Sequence, residues 1–163
     1  MPHHTIRAFE PGDLATLQSI RKAAFEPVFN SFRGIVGEQI AALAFRTADE
    51  EQATLLDDIC AAQSGHQVLV VECAQQTIGF VSYSLDAEQR TGEIGLNAVL
   101  PEYAGRGIGT WMYQHVLATM KDNGMKLAVV GTGGDDSHAP ARRSYEKAGF
   151  GPAIPSVYLY KLL

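Results

Sequence analysis

The chain has 163 residues, 46% of them hydrophobic, which is enough for one domain with its own core. Thirteen Lys and Arg against eighteen Asp and Glu leave a formal charge of −5, so the protein as a whole offers no field to draw nucleic acid or an anionic membrane. Cys60 and Cys73 form no CxxC and have no histidines at ligand spacing, no run approaches the roughly twenty apolar residues of a membrane span, and no secretory pattern opens the chain, so a cytoplasmic protein without a metal is expected.

Thr5 to Phe9 alternates as a short strand, and Glu10-Pro-Gly-Asp13 supplies a turn and an N-cap for a helix through Phe25. Pro27 should break that helix. A second apolar-periodic stretch carries Ile35, Ile40, Leu43 and Ala44 on one face, and a third, Ala48 to Gln63, carries Glu50, Glu51, Asp57 and Asp58 on its polar side. Beyond Ser64-Gly65 the period becomes that of strands: Val68 to Cys73, Ile78 to Leu85 and Gly92 to Val99, joined closely enough for antiparallel hairpins. Thr110 to Asp122 reads as a helix stopped by Asn123-Gly124, Leu127 to Val130 as a buried strand, Ala139 to Ala148 as a helix and Val157 to Leu162 as a closing strand. No repeat or linker divides the chain. The expectation is an α+β fold in a single domain over 1–163: a mixed, mostly antiparallel sheet of about six or seven strands flanked by helices.

Between the third of those strands and the next helix lies Tyr103-Ala-Gly-Arg-Gly-Ile-Gly-Thr110, with glycines at 105, 107 and 109. A helix start leaves unpaired N–H groups and about half a positive charge, so such a loop can close around a phosphate, with the Arg106 fork adding a charged contact. The spacing is GxGxG rather than GxGxxG and no Gly-Lys-Ser/Thr follows, which argues against a dinucleotide fold and excludes a Walker-type loop. A tight turn that needs glycine only for positive φ is the plainer reading of the same residues.

With the strand Glu93-Ile-Gly-Leu-Asn-Ala-Val99, the loop Gly105-Arg-Gly-Ile-Gly109 and the later Ala141-Arg-Arg-Ser-Tyr-Glu-Lys-Ala-Gly-Phe150, the sequence resembles the GCN5-related N-acetyltransferase (GNAT) family. The likeness is strongest over residues 92 to 150. It departs from the family at Ala104, where Gln or Arg is usual, and at His138, where Asn is common. The resemblance implies that acetyl-coenzyme A lies between two splayed central strands. Its pyrophosphate would rest on Gly105, Arg106, Gly107, Ile108, Gly109 and Thr110, its pantetheine along the backbone of Asn97, Ala98 and Val99, and His138 and Arg142 would lie near it, with Arg142 or Arg143 reaching the ribose phosphate.

Acetyl transfer needs a neutral amine, and an alkylammonium of pKa about 10.4 supplies roughly four neutral molecules in ten thousand at pH 7. Glu93 stands where the resemblance places a base, with water as the alternative, and Tyr145 stands where it places the acid that protonates the leaving thiolate. An amide of Val99 or Leu100 would meet the negative charge growing on the thioester oxygen. The implied activity is direct transfer from acetyl-coenzyme A to a primary amine, whether a small molecule, an amino acid, a peptide N-terminus or a lysine. A non-catalytic coenzyme A-binding sensor stays open beside it. Phe25, Phe29, Phe32 and Phe45 read as core filling, Gly131-Thr-Gly-Gly-Asp-Asp136 as a flexible loop bordering the acceptor, and His3, His4 and His66 as surface residues. The apolar end Val157-Tyr-Leu-Tyr-Lys-Leu-Leu163 would be covered by pairing or exchange between two chains, a homodimer.

Overall fold

The computed structural model describes residues 3–163. Five strands form one sheet in the order β1-β2-β3-β4-β5: β1 His4–Ala8, β2 His66–Cys73, β3 Gln76–Asp86, β4 Thr91–Val99 and β5 Leu127–Val130. The first four pair antiparallel, and β5 lies parallel to β4. Helices α1 Leu14–Val36, α2 Glu38–Ala44 and α3 Ala48–Cys60 precede β2, α4 Ile108–Asp122 joins β4 to β5, and α5 Ala139–Ala148 follows β5.

Alternation in β2 shows how the layers form. Val68 and Val70 face Leu17 and Ile20 of α1 and Leu56 and Ile59 of α3, while Val71 and Cys73 face Ile108, Met112 and Val116 of α4. Burial of both faces is why the middle of β3, Ile78 to Tyr83, is hidden without interruption rather than alternating. Each fully buried aliphatic side chain here contributes about 1.5–3 kcal/mol.

Three expectations are corrected. Pro27 does not end a helix: α1 runs through it to Val36, with Pro27 on the exposed side, where losing the bond to the Ala23 carbonyl can be made good by solvent. Leu127 to Val130 is a strand but not a buried one, since Leu127 and Val129 remain 58% and 42% exposed on an edge that pairs only with β4. Val157 to Leu162 forms no strand, because no neighbouring backbone offers it a ladder. Residues 151–163 run exposed after α5, and the sheet has five strands among the described residues rather than six or seven.

Candidate active site

β4 and β5 pair over four residues, Thr91 with Leu127 through Ile94 with Val130, and then part. β5 ends at Val130, before Gly131-Thr-Gly-Gly134, while β4 continues to Val99 with no partner on that side. An open cleft of about 950 Å³ occupies this parting, reached by β4, the loop before α4, α5 and the Phe25–Val28 turn of α1.

β4 does not enter the cleft with a simple alternation. Its register against β3 shifts between Val81 and Tyr83, a bulge that sets Gly95 and Leu96 against Ser82. Before the bulge Ile94 packs toward α4; after it Leu96 and Ala98 pack toward α1 and α3. The bulge therefore turns Asn97 to the side of α4 and α5 and leaves Glu93 on the side of α1. Glu93 lines the cleft and is exposed, so the two expected catalytic side chains, Glu93 and Tyr145, approach it from opposite faces of the sheet.

Tyr145 is 6% exposed and stacks on Tyr113 with ring centroids 4.4 Å apart. Asn97 joins the two rings. Its Oδ1 accepts from the Tyr113 hydroxyl at 2.7 Å, and its Nδ2 donates to the Gly95 carbonyl at 2.9 Å and to the Tyr145 oxygen at 3.0 Å. Both Nδ2 protons are thus used, and Tyr145, as acceptor of one, keeps its own proton for another partner. Burial, then the neighbouring Tyr145, pushes the Tyr113 hydroxyl well above the usual phenol range, so it remains a donor. The sequence pointed to the backbone of Asn97; its side chain and Tyr113 were missed, since nothing in a helix tyrosine four residues after Gly109 marks it.

At the mouth of the cleft the loop before α4 has Gly105 and Gly107 at φ of 74° and 80°, left-handed values that a side chain resists. Gly109 is different: it sits inside α4, where a Cβ would only reach van der Waals contact with Ser144. The positive-φ reading thus accounts for two of the three glycines. Arg106 lies over the Tyr103 ring, 5.2 Å from its centroid. Ala98, Val99, Ile108 and Thr110 also line the cleft. The Leu100 amide is already spent on the Ile78 carbonyl at 2.8 Å, which leaves Val99 of the two expected oxyanion donors.

The loop 131–136 is pinned rather than flexible. Arg142 donates to the carbonyls of Gly133 and Asp135 at 2.6 and 2.7 Å, while Arg143 lines the cleft. Asp135 accepts from Ser31 of α1 at 2.9 Å, from the Ser137 amide at 3.1 Å and from the Ser137 hydroxyl, and lies 2.7 Å from His138 Nδ1. That contact places a proton on Nδ1 and leaves Nε2 as the free face of the ring. A Cβ on Gly133 would overlap the imidazole, which is why the loop can lie flat against it. Partial burial would raise the Asp135 carboxyl, but the donors Ser137, His138 and Ser31 outweigh it and hold it well below the usual range. An Asp three residues before a His, with Ser between, was the available signal.

Of the aromatic set only Phe25 packs against the core, beside the Leu17, Ile20 and Leu56 cluster. Phe32 stacks on His138 at 5.8 Å and tilts against Phe45 at 5.7 Å, and all four phenylalanines stay partly exposed along the α1 and α2 side of the site. His3 and His66 are exposed, whereas His4 is partly covered and its Nδ1 is buried without a partner.

A protein-family model described as "Acetyltransferase (GNAT) family" matches residues 35–150. Among solved structures, a GNAT family acetyltransferase from Brucella melitensis in complex with acetyl-CoA is 26% identical, with 95% of this chain and 93% of that one covered and a TM-score of 0.63. PaiA N-acetyltransferase from Thermoplasma acidophilum in complex with coenzyme A is 21% identical, covering 94% and 93%, at 0.71. Aminoglycoside antibiotic 6'-N-acetyltransferase AAC(6')-Ih from Acinetobacter baumannii is 17% identical, covering 99% of each, at 0.62. No curated protein matches the chain significantly. No helix among the described residues is long and apolar enough to cross a membrane.

The hydrogen bonds on Asp135 predict a pH-dependent contribution. Its folded carboxyl titrates below its unfolded value, near 3.9, so the stabilisation is complete above that value and fades as pH falls below it. Asp135→Asn should cost about 1–3 kcal/mol at pH 7 in urea unfolding, and markedly less at pH 3. An equal cost at both would contradict the assignment.

Proposed function

The chain belongs to the acetyltransferase (GNAT) family, and on that premise we propose that residues 1–163 form a single N-acetyltransferase domain that moves the acetyl group of acetyl-CoA directly onto a primary amine. The observation that carries the reading is the tyrosine-tipped cleft between the parted strands, with a left-handed glycine loop at its mouth. The Brucella and Thermoplasma structures, which hold acetyl-CoA and coenzyme A, support the choice of cofactor. The acceptor is a small molecule, an amino acid, a peptide terminus or a lysine; the aminoglycoside enzyme among the neighbours is one small-amine example.

In this reading the amides from Gly105 to Thr110 take the pyrophosphate, helped by the α4 dipole and by Arg106. The unpaired side of β4 at Asn97, Ala98 and Val99 takes the pantetheine amides as an added strand would. His138 offers Nε2 to that arm as an acceptor, and Arg142 acts through the loop it braces, leaving Arg143 for the ribose phosphate.

Glu93, or a water beside it, removes the proton from the attacking amine. The nitrogen lone pair adds to the thioester carbon while the Val99 amide faces the oxygen, where one donor is worth about 3 kcal/mol. Collapse breaks the carbon–sulfur bond and expels a thiolate, which takes the Tyr145 proton. The second proton of the attacking nitrogen is lost to water and the phenolate regains its own from solvent, leaving a neutral amide and a thiol. Asn97 holds the Tyr145 oxygen so that the hydroxyl proton points away from Asn97. A cysteine acyl-enzyme is disfavoured: Cys73 is buried in the core, and burial followed by Asp57 and Asp13 pushes the Cys60 thiol up to about 11.

An acetyl-transfer screen over polyamines, amino acids, aminoglycosides and lysine peptides, read as released thiol, tests the activity. Tight coenzyme A binding with no thiol released across that panel would make the protein a non-catalytic coenzyme A module instead. On a substrate so found, Tyr145→Phe should lower kcat about 10²-fold while leaving acetyl-CoA affinity near wild type, and equal losses in both would mean a packing role. Glu93→Gln should lower kcat/KM most at low pH, where free water removes the proton least well; an unchanged pH profile assigns that step to water. Gly107→Asp sets a carboxylate at the helix start and a side chain at φ 80°, and should weaken coenzyme A binding by about a hundredfold in calorimetry. Unchanged affinity would mean the loop is only a turn.

A further inference from the structure

The two sides of the cleft differ in what they offer a ligand. On the side of α5 it is polar, with Tyr145 tied to Asn97 and with Arg143 and Lys147 on the same helix. On the side of α1 it is apolar: Phe25 and Val28 of α1, Leu55 of α3 and Leu96 of β4 line it, and Pro27 lies among them with no N–H to donate. Phe25 and Leu96 rest on the buried Leu17, Ile20 and Leu56 cluster, which holds this wall in place. Leu55 nevertheless stays 48% exposed, and Phe29, itself partly exposed, tilts against Phe25 with ring centroids 6.4 Å apart.

Among the described residues that line the cleft, Glu93 is the one carboxylate, and it stands on the α1 side. The exposed carboxylates of the same two helices, Glu26, Asp57 and Asp58, do not line it. A wall of this kind satisfies one cation and then covers hydrocarbon. The second and third ammonium groups of a polyamine or an aminoglycoside would face leucine, valine and phenylalanine with no counter-charge, which strips them of water for nothing in return. A free amino acid would bring its own carboxylate up to Glu93, where like charges repel.

We propose that the acceptor is a small primary monoamine carried on an apolar alkyl or aryl body, with its ammonium at Glu93 and that body against Phe25, Val28 and Leu55. The inference rests on reading the cleft as an acetyl-transfer site and narrows the amines that site takes. One charge meets one carboxylate, and the remainder of the molecule covers side chains that the fold leaves partly in water. Selectivity then comes from three residues on two helices, none of which touches the Asn97, Tyr113 and Tyr145 network.

Calorimetry of amines against the full chain with coenzyme A present reads this wall without turnover. From ethylamine through butylamine to hexylamine, affinity should rise about threefold to fourfold for each methylene that the wall covers. Phenethylamine and hexylamine should each bind about tenfold or more tightly than spermidine or kanamycin. Thiol released from acetyl-CoA should rank the same amines in the same order of kcat/KM. Leu55→Ala, a truncation at an exposed position, should flatten the upper end of the alkyl series, and Val28→Asp, which adds a second carboxylate, should place spermidine above hexylamine. A wild-type affinity that is flat with chain length, or that favours spermidine or kanamycin over hexylamine, overturns the proposal. Thiol release from none of these amines would sink the transfer chemistry instead, and the affinity series decides the apolar acceptor wall in either case.

Discussion

The site depends on β4 and β5 separating after only four paired residues. In a sheet the favourable course is to keep pairing, because every unpaired backbone group out of water costs free energy. Here the separation is enforced at both strands. β5 stops at Val130 because four residues with three glycines follow, and the loop they begin is drawn off to α1 by Ser31 and Asp135 and to α5 by Arg142. β4 bulges at the next residue, Gly95, which rotates its later carbonyls and amides out of register with anything β5 could offer. The cleft is therefore a place where one strand edge is held open by backbone geometry and a few partly buried hydrogen bonds, and an amide-bearing ligand is the partner that such an edge fits.

The bulge has a second consequence. A strand without it would place Glu93, Gly95, Asn97 and Val99 on one face. With it, Glu93 stays beside α1 while Asn97 turns to Tyr113 and Tyr145. The carboxylate of Glu93 and the phenol of Tyr145 are thereby held on opposite sides of the same strand, unable to pair with each other. A carboxylate next to that phenol would compete for its proton; the one-residue insertion prevents it.

Much of this was legible in the chain. Both helix ends at Asn123 and Gly149, the antiparallel run and the glycine loop follow from local rules that tertiary contacts did not overturn, while Glu93 and Tyr145, singled out by the family resemblance, both line the cleft. The failures are of another kind. Pro27 was read by its backbone cost alone, which packing of the α1 residues on either side outweighed. The phenylalanines were assigned to the core because apolar type predicts burial; Phe25 does pack there, but Phe32 and Phe45 stay partly exposed and reach His138 and Tyr160. Phe32 meeting His138, and Ser31 meeting Asp135, join residues more than a hundred positions apart, a relation that periodicity does not carry. Val157 to Leu162 was read as a strand from its composition, but a strand needs a partner, and whether one is within reach is not a local property.

Electrostatics fix which way a cofactor would enter. With a formal charge of −5, the protein repels a polyanion at long range, so attraction must be confined to the mouth of the cleft. The start of α4, Arg106 on its Tyr103 platform, and Arg143 and Lys147 of α5 gather there or along its wall. At the other end Tyr145, Tyr113 and Ile94 make a wall with a single network of neutral hydroxyl and amide groups. A molecule with phosphates at one end and a thioester at the other has only one favourable orientation in such a gradient: charge at the mouth, thioester at the tyrosine. The reverse would strip phosphates of water against buried phenols, at several kcal/mol per charge. The same gradient presents the amine acceptor with a neutral wall beside Tyr145 and a carboxylate, Glu93, on the opposite face. A cationic acceptor would thus be drawn to the Glu93 side of the cleft, while the neutral wall beside Tyr145 offers it no counter-charge.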